Sequence, residues 1–379
     1  MKILINTARF VVGVLFIFSG LIKANDPMGL SYKMLEFFEA WNFHLLDHFT
    51  LAFSLIMIVF EIVAGVAVLL GWRMKLFSWL LLVLIVFFTF LTGYAYLSGK
   101  VRECGCFGDC IPLTAGQSFA KDLVLLGLIL FLFMQRGKVK PLLSQVASMA
   151  TLLLTLILSV SFQWVVLLHL PTVDCLPYRV GQDIPAAMQI PPGAIPDSTV
   201  ISFVYMHNGK KVEFTADKIP NDYDPATYTL VSRYDKLVRK GNAEPAIKDF
   251  LLHTPSGVDS TQEILQQKGY KLFLFSMGIS EESPSWDKAL GLILVTAKSK
   301  GIPVYLITSD YDGVSSWIDR QGLTKGVIIL TCDVTAIRTA ARANPTIYLL
   351  KRGIVLNKWS YADFSQALPD VNALPDQLE

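Results

Sequence analysis

The chain has 379 residues, of which 53% are hydrophobic and 17% charged, with a formal net charge of +2. Soluble proteins carry charge on roughly a quarter of their residues, so this composition excludes an ordinary soluble protein and points to the membrane. The near-neutral balance supplies no clustered basic field to neutralise phosphates, which sets nucleic acid aside as a partner.

The charges are unevenly placed: residues 1–170 hold 12 Lys/Arg and 8 Asp/Glu, while residues 171–379 hold 21 and 23. Two parts in two solvents follow. A hydrocarbon core about 30 Å thick takes about 20 apolar helical residues. Five stretches meet or approach that length: Ile3–Ile22, Phe49–Leu70, Leu76–Leu97, Phe119–Met134 and Leu142–His169. The first reads as an uncleaved span, because no small-x-small cleavage site follows it. Between the first two, Tyr32–Phe43 is apolar but carries Lys33, Glu36 and Glu39, which suits an amphipathic helix in the interface, over the outer mouth of the bundle.

Lys and Arg near span ends are retained in the cytoplasm. Lys2, Arg9, Arg73, Lys75, Arg136, Lys138 and Lys140 share one side with no acidic partner, whereas the alternate loops mix basic and acidic residues. The amino terminus is therefore expected in the cytoplasm. Five crossings place residues 171–379 outside a bacterial cytoplasmic membrane, in the periplasm, where thiols are oxidised.

Glu61 lies near the middle of the second span, where an ionised carboxylate costs on the order of 3 kcal/mol. Counted from the span ends at 1.5 Å per residue, Arg9 differs from it in depth by about the reach of an arginine side chain. An Arg9–Glu61 pair is expected, favoured as a fixer of helix register over a proton or quinone site. Lys23 and Asp26, at the outer end of the first span, read as snorkelling residues, with a headgroup or quinone contact as the alternative.

The outer loop between the third and fourth spans places Cys104, Cys106 and Cys110 within seven residues, and Cys175 follows the last span on the same face. Five cysteines in all are too few for a disulfide-stapled scaffold, so their grouping reads as a site. Short-loop disulfides are readily reduced, which favours thiol–disulfide exchange. A fixed disulfide and a metal site stay open; zinc is disfavoured because the loop has no histidine and lacks the usual pair of C-x2-4-C pairs. Cys175 is read either as a resolving thiol or as the permanent partner of a loop cysteine.

Arg9, the run Phe18-Ser19-Gly20-Leu21-Ile22-Lys23 with Asp26-Pro27-Met28-Gly29, Glu61 with Gly65 and Gly71, and above all Cys104-Gly105-Cys106-Phe107-Gly108 resemble the MauE/DoxX family of redox-associated membrane proteins. The resemblance covers about the first 140 residues. It implies a four-helix membrane bundle linked to electron transfer or to maturation of disulfide-containing proteins outside the membrane. The fifth span, 141–170, lies beyond it.

From Leu170 the composition is that of a soluble α/β protein. Val200–Tyr205 and Lys211–Thr215 flank His207-Asn208-Gly209-Lys210, a hairpin signal within a linker and β-rich region spanning 171–240. Residues 241–379 then alternate strand and helix, with strands at Lys271–Ser276, Pro303–Thr308 and Val327–Thr331, helices at Ser285–Lys300, Gly313–Gln321 and Val334–Arg342, and a closing hairpin of Thr346–Leu350 and Val355–Lys358. That order resembles a thioredoxin-like fold of the TlpA and peroxiredoxin type. Asn344-Pro345-Thr346 stands where that fold keeps a cis-proline, and Ile247–Leu252 stands where it has an entrance strand. Where the family places Cys-x-x-Cys, this chain has Met277-Gly278-Ile279-Ser280-Glu281-Glu282-Ser283-Pro284, without a thiol. Cys332, the domain's one cysteine, reads as a buried small hydrophobe.

The expected fold is a membrane all-α bundle followed by a thioredoxin-like α/β domain. The expected exchange residues are Cys104, Cys106, Cys110 and Cys175, with Arg9 and Glu61 as an intramembrane polar pair. A groove at Pro345 and Thr346 is expected to hold an extracytoplasmic protein client or redox partner by backbone hydrogen bonds. No metal is expected; a quinone is the candidate cofactor. A noncatalytic membrane scaffold or maturation factor with structural cysteines, and a subunit of a quinone-linked complex, are the alternative readings. The sequence does not specify the oligomeric state.

Overall fold

A computed structural model describes residues 1–99, 101, 105, 107–196, 198–215, 218–220, 223–239, 241, 243–279, 286–322 and 326–377. The chain divides into two compact units, residues 1–182 with 249–379, and residues 183–248.

Among the described residues, five helices are long and apolar enough to cross a membrane. They are α1 (Lys2–Asn25), then, after the shorter α2 (Pro27–Ala40), α3 (Thr50–Leu70), α4 (Met74–Ser98), α5 (Ala115–Gln135) and α6 (Gln145–His169). Helix α2 starts five residues before the expected Tyr32, because Asp26 caps it through the Gly29 N–H at 2.9 Å and Pro27 occupies its first turn. A capping box of Thr114 and Gln117 likewise starts α5 at Ala115 rather than Phe119.

Helices α1 and α3 meet backbone to backbone. A methyl group added at Gly65 would lie 2.9 Å from the Gly13 carbonyl oxygen. Lipid tails are as apolar as leucine, so membrane helices associate through close dispersion contact, and paired glycines permit it. Around this crossing pack Val12, Phe16, Val68, Leu81 and Ile129.

The second unit holds the short helix α7 (Ile184–Ala187) and an antiparallel sheet of order β2-β1-β3, from β1 (Ser198–His207), β2 (Lys210–Thr215) and β3 (Tyr228–Arg239). Its hairpin turns at Asn208-Gly209, both with positive φ, as the dipeptide predicts. The sequence reading did not anticipate β3.

The carboxyl-terminal part of the first unit runs α8 (Thr261–Gln266), β4 (Tyr270–Ser276), α9 (Asp287–Ser299), β5 (Val304–Thr308), α10 (Tyr311–Gln321), β6 (Ile328–Thr331), α11 (Val334–Ala340), β7 (Thr346–Lys351), β8 (Ile354–Ser360) and α12 (Phe364–Asn372). Its sheet has the order β6-β5-β4-β7-β8, with β4, β5 and β6 parallel and β7 and β8 antiparallel. The central position of β4, the reversal at β7 and a cis Asn344-Pro345 bond just before β7 give the thioredoxin-like arrangement expected. Leu272, Leu274, Ile293, Trp317, Ile347 and Phe364 fill one face of the sheet.

The expected entrance strand at Ile247–Leu252 does not form. Asp249 adopts a positive φ and the Leu252 N–H is taken by Thr261 Oγ1 at 2.7 Å, so these backbone groups close a local turn instead of a ladder. What remains of the entrance strand is a bridge from His253 to Thr331 at the edge of β6.

Candidate functional site at the cysteine-loop end of the bundle

The register set by the Gly13–Gly65 crossing brings Glu61 level with Gly20 and leaves Arg9 beside Gly71, near the other end of the helix pair. Glu61 therefore pairs with Lys23 and not with Arg9. Lys23 Nζ donates to Glu61 Oε1 at 2.6 Å, with the two side chains 3% and 1% exposed, and Ser19 Oγ donates to Oε2 at 3.2 Å. Lys23 Nζ also lies 4.8 Å from the centre of the Phe88 ring. Arg9 instead donates to the Lys140 carbonyl at 3.2 Å. The expected pairing failed because depth counted from span ends ignores how two helices are registered. Lys23, read as a snorkelling residue, is the partner the carboxylate needs in hydrocarbon.

Above this pair lies the cysteine loop. Cys110 and Cys175 form a disulfide, with Cα atoms 4.9 Å apart, which makes Cys175 the partner of a loop cysteine. Cys104 and Cys106 lie outside the described residues. Gly105, the residue between them, is described: a Cβ there would meet Lys33 Cγ at 3.1 Å, so the Gly105 backbone rests on α2. Phe107 packs against Phe18, ring centres 5.8 Å apart, with Lys121 Nζ 4.8 Å from its centre.

The thioredoxin-like domain reaches this loop through Arg342. Its Nε donates to both carboxylate oxygens of Asp26 at 3.1 and 2.8 Å, its Nη2 to Asp109 Oδ2 at 2.7 Å, and its Nη1 to the Arg338 carbonyl at 2.7 Å. The guanidinium is 7% exposed and lies over the Tyr32 ring, 5.4 Å from its centre. One planar fork thus ties the cap of α2 to the residue preceding Cys110. Burial pushes the Tyr32 hydroxyl pKa up, against the pull of Arg342 and Arg338, and the hydroxyl donates to Met277 Sδ at 3.9 Å. Lys358 and Asp174 at 2.6 Å, and His169 and Asp363 at 2.8 Å, join the domain to the chain emerging from α6. Asn25, at the end of α1, holds Thr172 and Val173 in turn.

This docking changes the expected partner groove. Pro345 and Thr346 are both buried; the Pro345 carbonyl accepts from the Tyr361 N–H, and Thr346 Oγ1 donates to the Ala343 carbonyl at 2.6 Å. Asn344 spans the edge beside them, accepting from the Met277 N–H and donating to the Gly278 carbonyl, each at 3.0 Å. The Met277 N–H and the Gly278, Ala343 and Pro345 carbonyls, which an extended client could use, are thereby engaged. The face bearing Met277 and Arg342 meets the chain's own α2. Cys332 is buried at the end of β6, and burial pushes its thiol pKa up to about 12, which keeps it protonated and unreactive.

A largely apolar cavity of about 380 Å³ opens between α2, α3 and α4, with Trp41, Phe60 and Phe88 among its walls and Lys23, Lys33 and Gly105 also lining it. Among the described residues no group of three His, Cys, Asp or Glu side chains is placed to hold a metal ion. The sequence reading missed Asp26, Asp109 and Arg342 as a network. Arg342 lies 316 positions from Asp26, and no local pattern links them.

Residues 1–135 match the family described as Methylamine utilisation protein MauE, and residues 199–240 match a domain of unknown function, DUF8463. Over 135 residues the chain is 28% identical to Protein TlpB of Flavobacterium psychrophilum, covering 35% of this chain and 37% of that protein. The chain thus spans little more than a third of the curated relative it matches. Among solved structures, a thiol:disulfide interchange protein from Bacteroides sp. aligns with 34% of this chain and 90% of that one, at 15% identity and a TM-score of 0.25. BsSco, a member of the Sco family of cytochrome c oxidase assembly proteins with a disulfide switch, aligns with 34% of this chain and 94% of that one, at 14% identity and a TM-score of 0.26. The chain is a MauE-like membrane segment joined to a domain whose strand order is thioredoxin-like.

Proposed function

We propose that this membrane protein carries out thiol–disulfide exchange on the outer face of a bacterial cytoplasmic membrane. Cys104 and Cys106 form the exchanging pair, and Cys110–Cys175 is the bond that holds their loop in place. The observation that carries this reading is that disulfide: it lies in the same short loop as the Cys-Gly-Cys segment and fixes one end of it, while Arg342 holds the neighbouring Asp109. A disulfide persists in oxidising compartments, and the basic residues cluster in the opposite loops; both support an extracytoplasmic position for the loop and for residues 171–379.

In the exchange step, a thiolate of an extracytoplasmic protein client attacks one sulfur of oxidised Cys104–Cys106. A mixed disulfide forms and the other loop sulfur leaves as a thiolate. The client's second thiolate then attacks the mixed disulfide, so the client departs oxidised and the loop is left reduced. The thioredoxin-like domain, without a Cys-x-x-Cys of its own, positions the loop through Arg342.

Run in reverse, the same exchange lets the lone Cys104 thiolate of Cys106→Ser attack the disulfide of an oxidised client, releasing one client thiolate; with no second loop thiol to resolve it, the Cys104–client mixed disulfide is expected to accumulate, seen by non-reducing electrophoresis and mass spectrometry of membranes. The alternative, a noncatalytic scaffold with structural cysteines, draws on the buried Arg342 network. It predicts that Cys104→Ser and Cys106→Ser are both harmless and trap nothing.

A further inference from the structure

We infer that the cavity between α2, α3 and α4 holds one acyl chain of a bilayer phospholipid as a resident part of the fold. The inference goes beyond the exchange reading and does not rest on it: it requires only that the apolar helices stand in a membrane. Phe53, Ile56 and Phe87 line the cavity and are exposed on the outer surface of the bundle, so its entrance faces lipid. A void there forfeits the dispersion contacts of its walls, and the solvent available to fill it is the tails of the surrounding lipid.

Shape and chemistry then choose the occupant. Wall residues run from Phe53 to Phe60 on α3 and from Leu84 to Thr92 on α4, about 10 to 12 Å along each helix at 1.5 Å per residue. One leaflet is half of a hydrocarbon core about 30 Å thick, so the cavity is a slot that follows a lipid tail from the cysteine-loop end of the helices toward their middle. Its charged and hydroxyl-bearing lining is already committed: Lys23 to Glu61 at 2.6 Å, Lys33 to Glu36 at 2.9 Å, and Thr92 to Asp122 at 3.0 Å. A ligand with polar atoms would have to compete with those carboxylates, whereas a methylene chain asks for no hydrogen bond.

The tail also supports α2. Leu30, Met34, Phe37, Phe38 and Trp41 recur at helical spacing and present one face of this segment to the cavity. Elsewhere on the same helix, Tyr32 lies under the Arg342 guanidinium, and the capping Asp26 accepts from Arg342 Nε. Helix α2 thus stands between the tail and the thioredoxin-like domain, and its order depends on both contacts.

The test uses the full chain, extracted in a mild detergent, washed free of bulk lipid and weighed by native mass spectrometry. One phospholipid per chain is expected to remain bound, whatever its headgroup. Dihexanoyl phosphatidylcholine is expected to be held about tenfold or more weakly than the dioleoyl lipid, having fewer methylenes to bury. Leu91→Trp and, separately, Met57→Trp fill the cavity and are expected to lower occupancy about tenfold or more, whereas Leu153→Trp, on the exposed face of α6, keeps the occupancy of the parent. Returning the dioleoyl lipid to stripped parent protein, which needs no substitution, is expected to slow amide hydrogen exchange in α2 more than in α5. A parent that retains no lipid, or retention unchanged in both filled variants, overturns the assignment. So does an isoprenoid quinone retained in place of phospholipid. Lipid-free protein that runs as a dimer with α2 protected marks a second copy of the chain as the occupant, and likewise overturns it.

Discussion

At the scale of single residues, the most constrained group is Glu61. Its carboxylate is held by Lys23 and Ser19, all three brought together by helix register. Glu61→Gln leaves a buried ammonium without its counter-charge, and Lys23→Met leaves the carboxylate; each is expected to cost about 3–5 kcal/mol. The double variant removes both charges and should recover most of that loss. Thermal unfolding of the four proteins in one detergent makes the cycle, and strictly additive costs would show that the two side chains do not interact. Cys332 offers a pH test. Its thiol pKa is raised from 9.0 in the unfolded chain to about 12 in the fold by burial, so the folded state keeps a proton that the unfolded state loses above pH 9.0. Stability is therefore expected to decline from about pH 9 toward about 12, and Cys332→Ala should lessen that decline. At pH 9.0 native Cys332 should resist iodoacetamide and react once the protein is unfolded; rapid alkylation of folded protein contradicts its burial.

At the scale of elements, the join between α2, the cysteine loop and the Arg342 side chain decides how this end of the bundle is built. Arg342→Met strands Asp26 and Asp109 together, and Arg342→Lys offers a point charge where a planar fork reaches both. Either change is expected to speed amide hydrogen exchange in residues 107–113 and the first turn of α2, with less effect in β4 and β5. The local loss should be about 2–4 kcal/mol for Met and smaller for Lys. Unchanged exchange in the loop would show that the disulfide alone holds it. The elements themselves were largely legible from sequence. The five spans follow from apolar length, the hairpin from Asn208-Gly209, and the β4 to β8 order from alternating strands and helices. What local pattern could not show was any feature set by distant partners. The entrance strand lost its ladder to Thr261, Glu61 took Lys23 rather than Arg9, and the face beside Pro345 met α2. The Cys110–Cys175 bond was legible halfway: parity put Cys175 on the loop's face without choosing its partner.

At the scale of the whole chain, that bond constrains topology by counting. Cys110 precedes α5 and Cys175 follows α6, so the two sulfurs can meet on one face only if both helices cross, or neither does. Each helix is long and apolar enough to cross a membrane, so we read both as crossing. The turn between them, with Arg136 and Lys138, must then lie on the opposite face from the disulfide. The lysine and arginine bias assigns that turn to the cytoplasm, and the exchange reading requires the same assignment. With spheroplasts treated with reductant, a membrane-impermeant maleimide is expected to label Cys110 and Cys175. The exposed reporter Lys138→Cys should stay unlabelled until the membrane is permeabilised, with the sites mapped by mass spectrometry. Labelling of the reporter in intact spheroplasts, with Cys110 and Cys175 protected, would invert the chain. Since parity ties Cys104 and Cys106 to the same face as the disulfide, that one result would move the exchanging pair into a reducing compartment, where a client could not be oxidised by it.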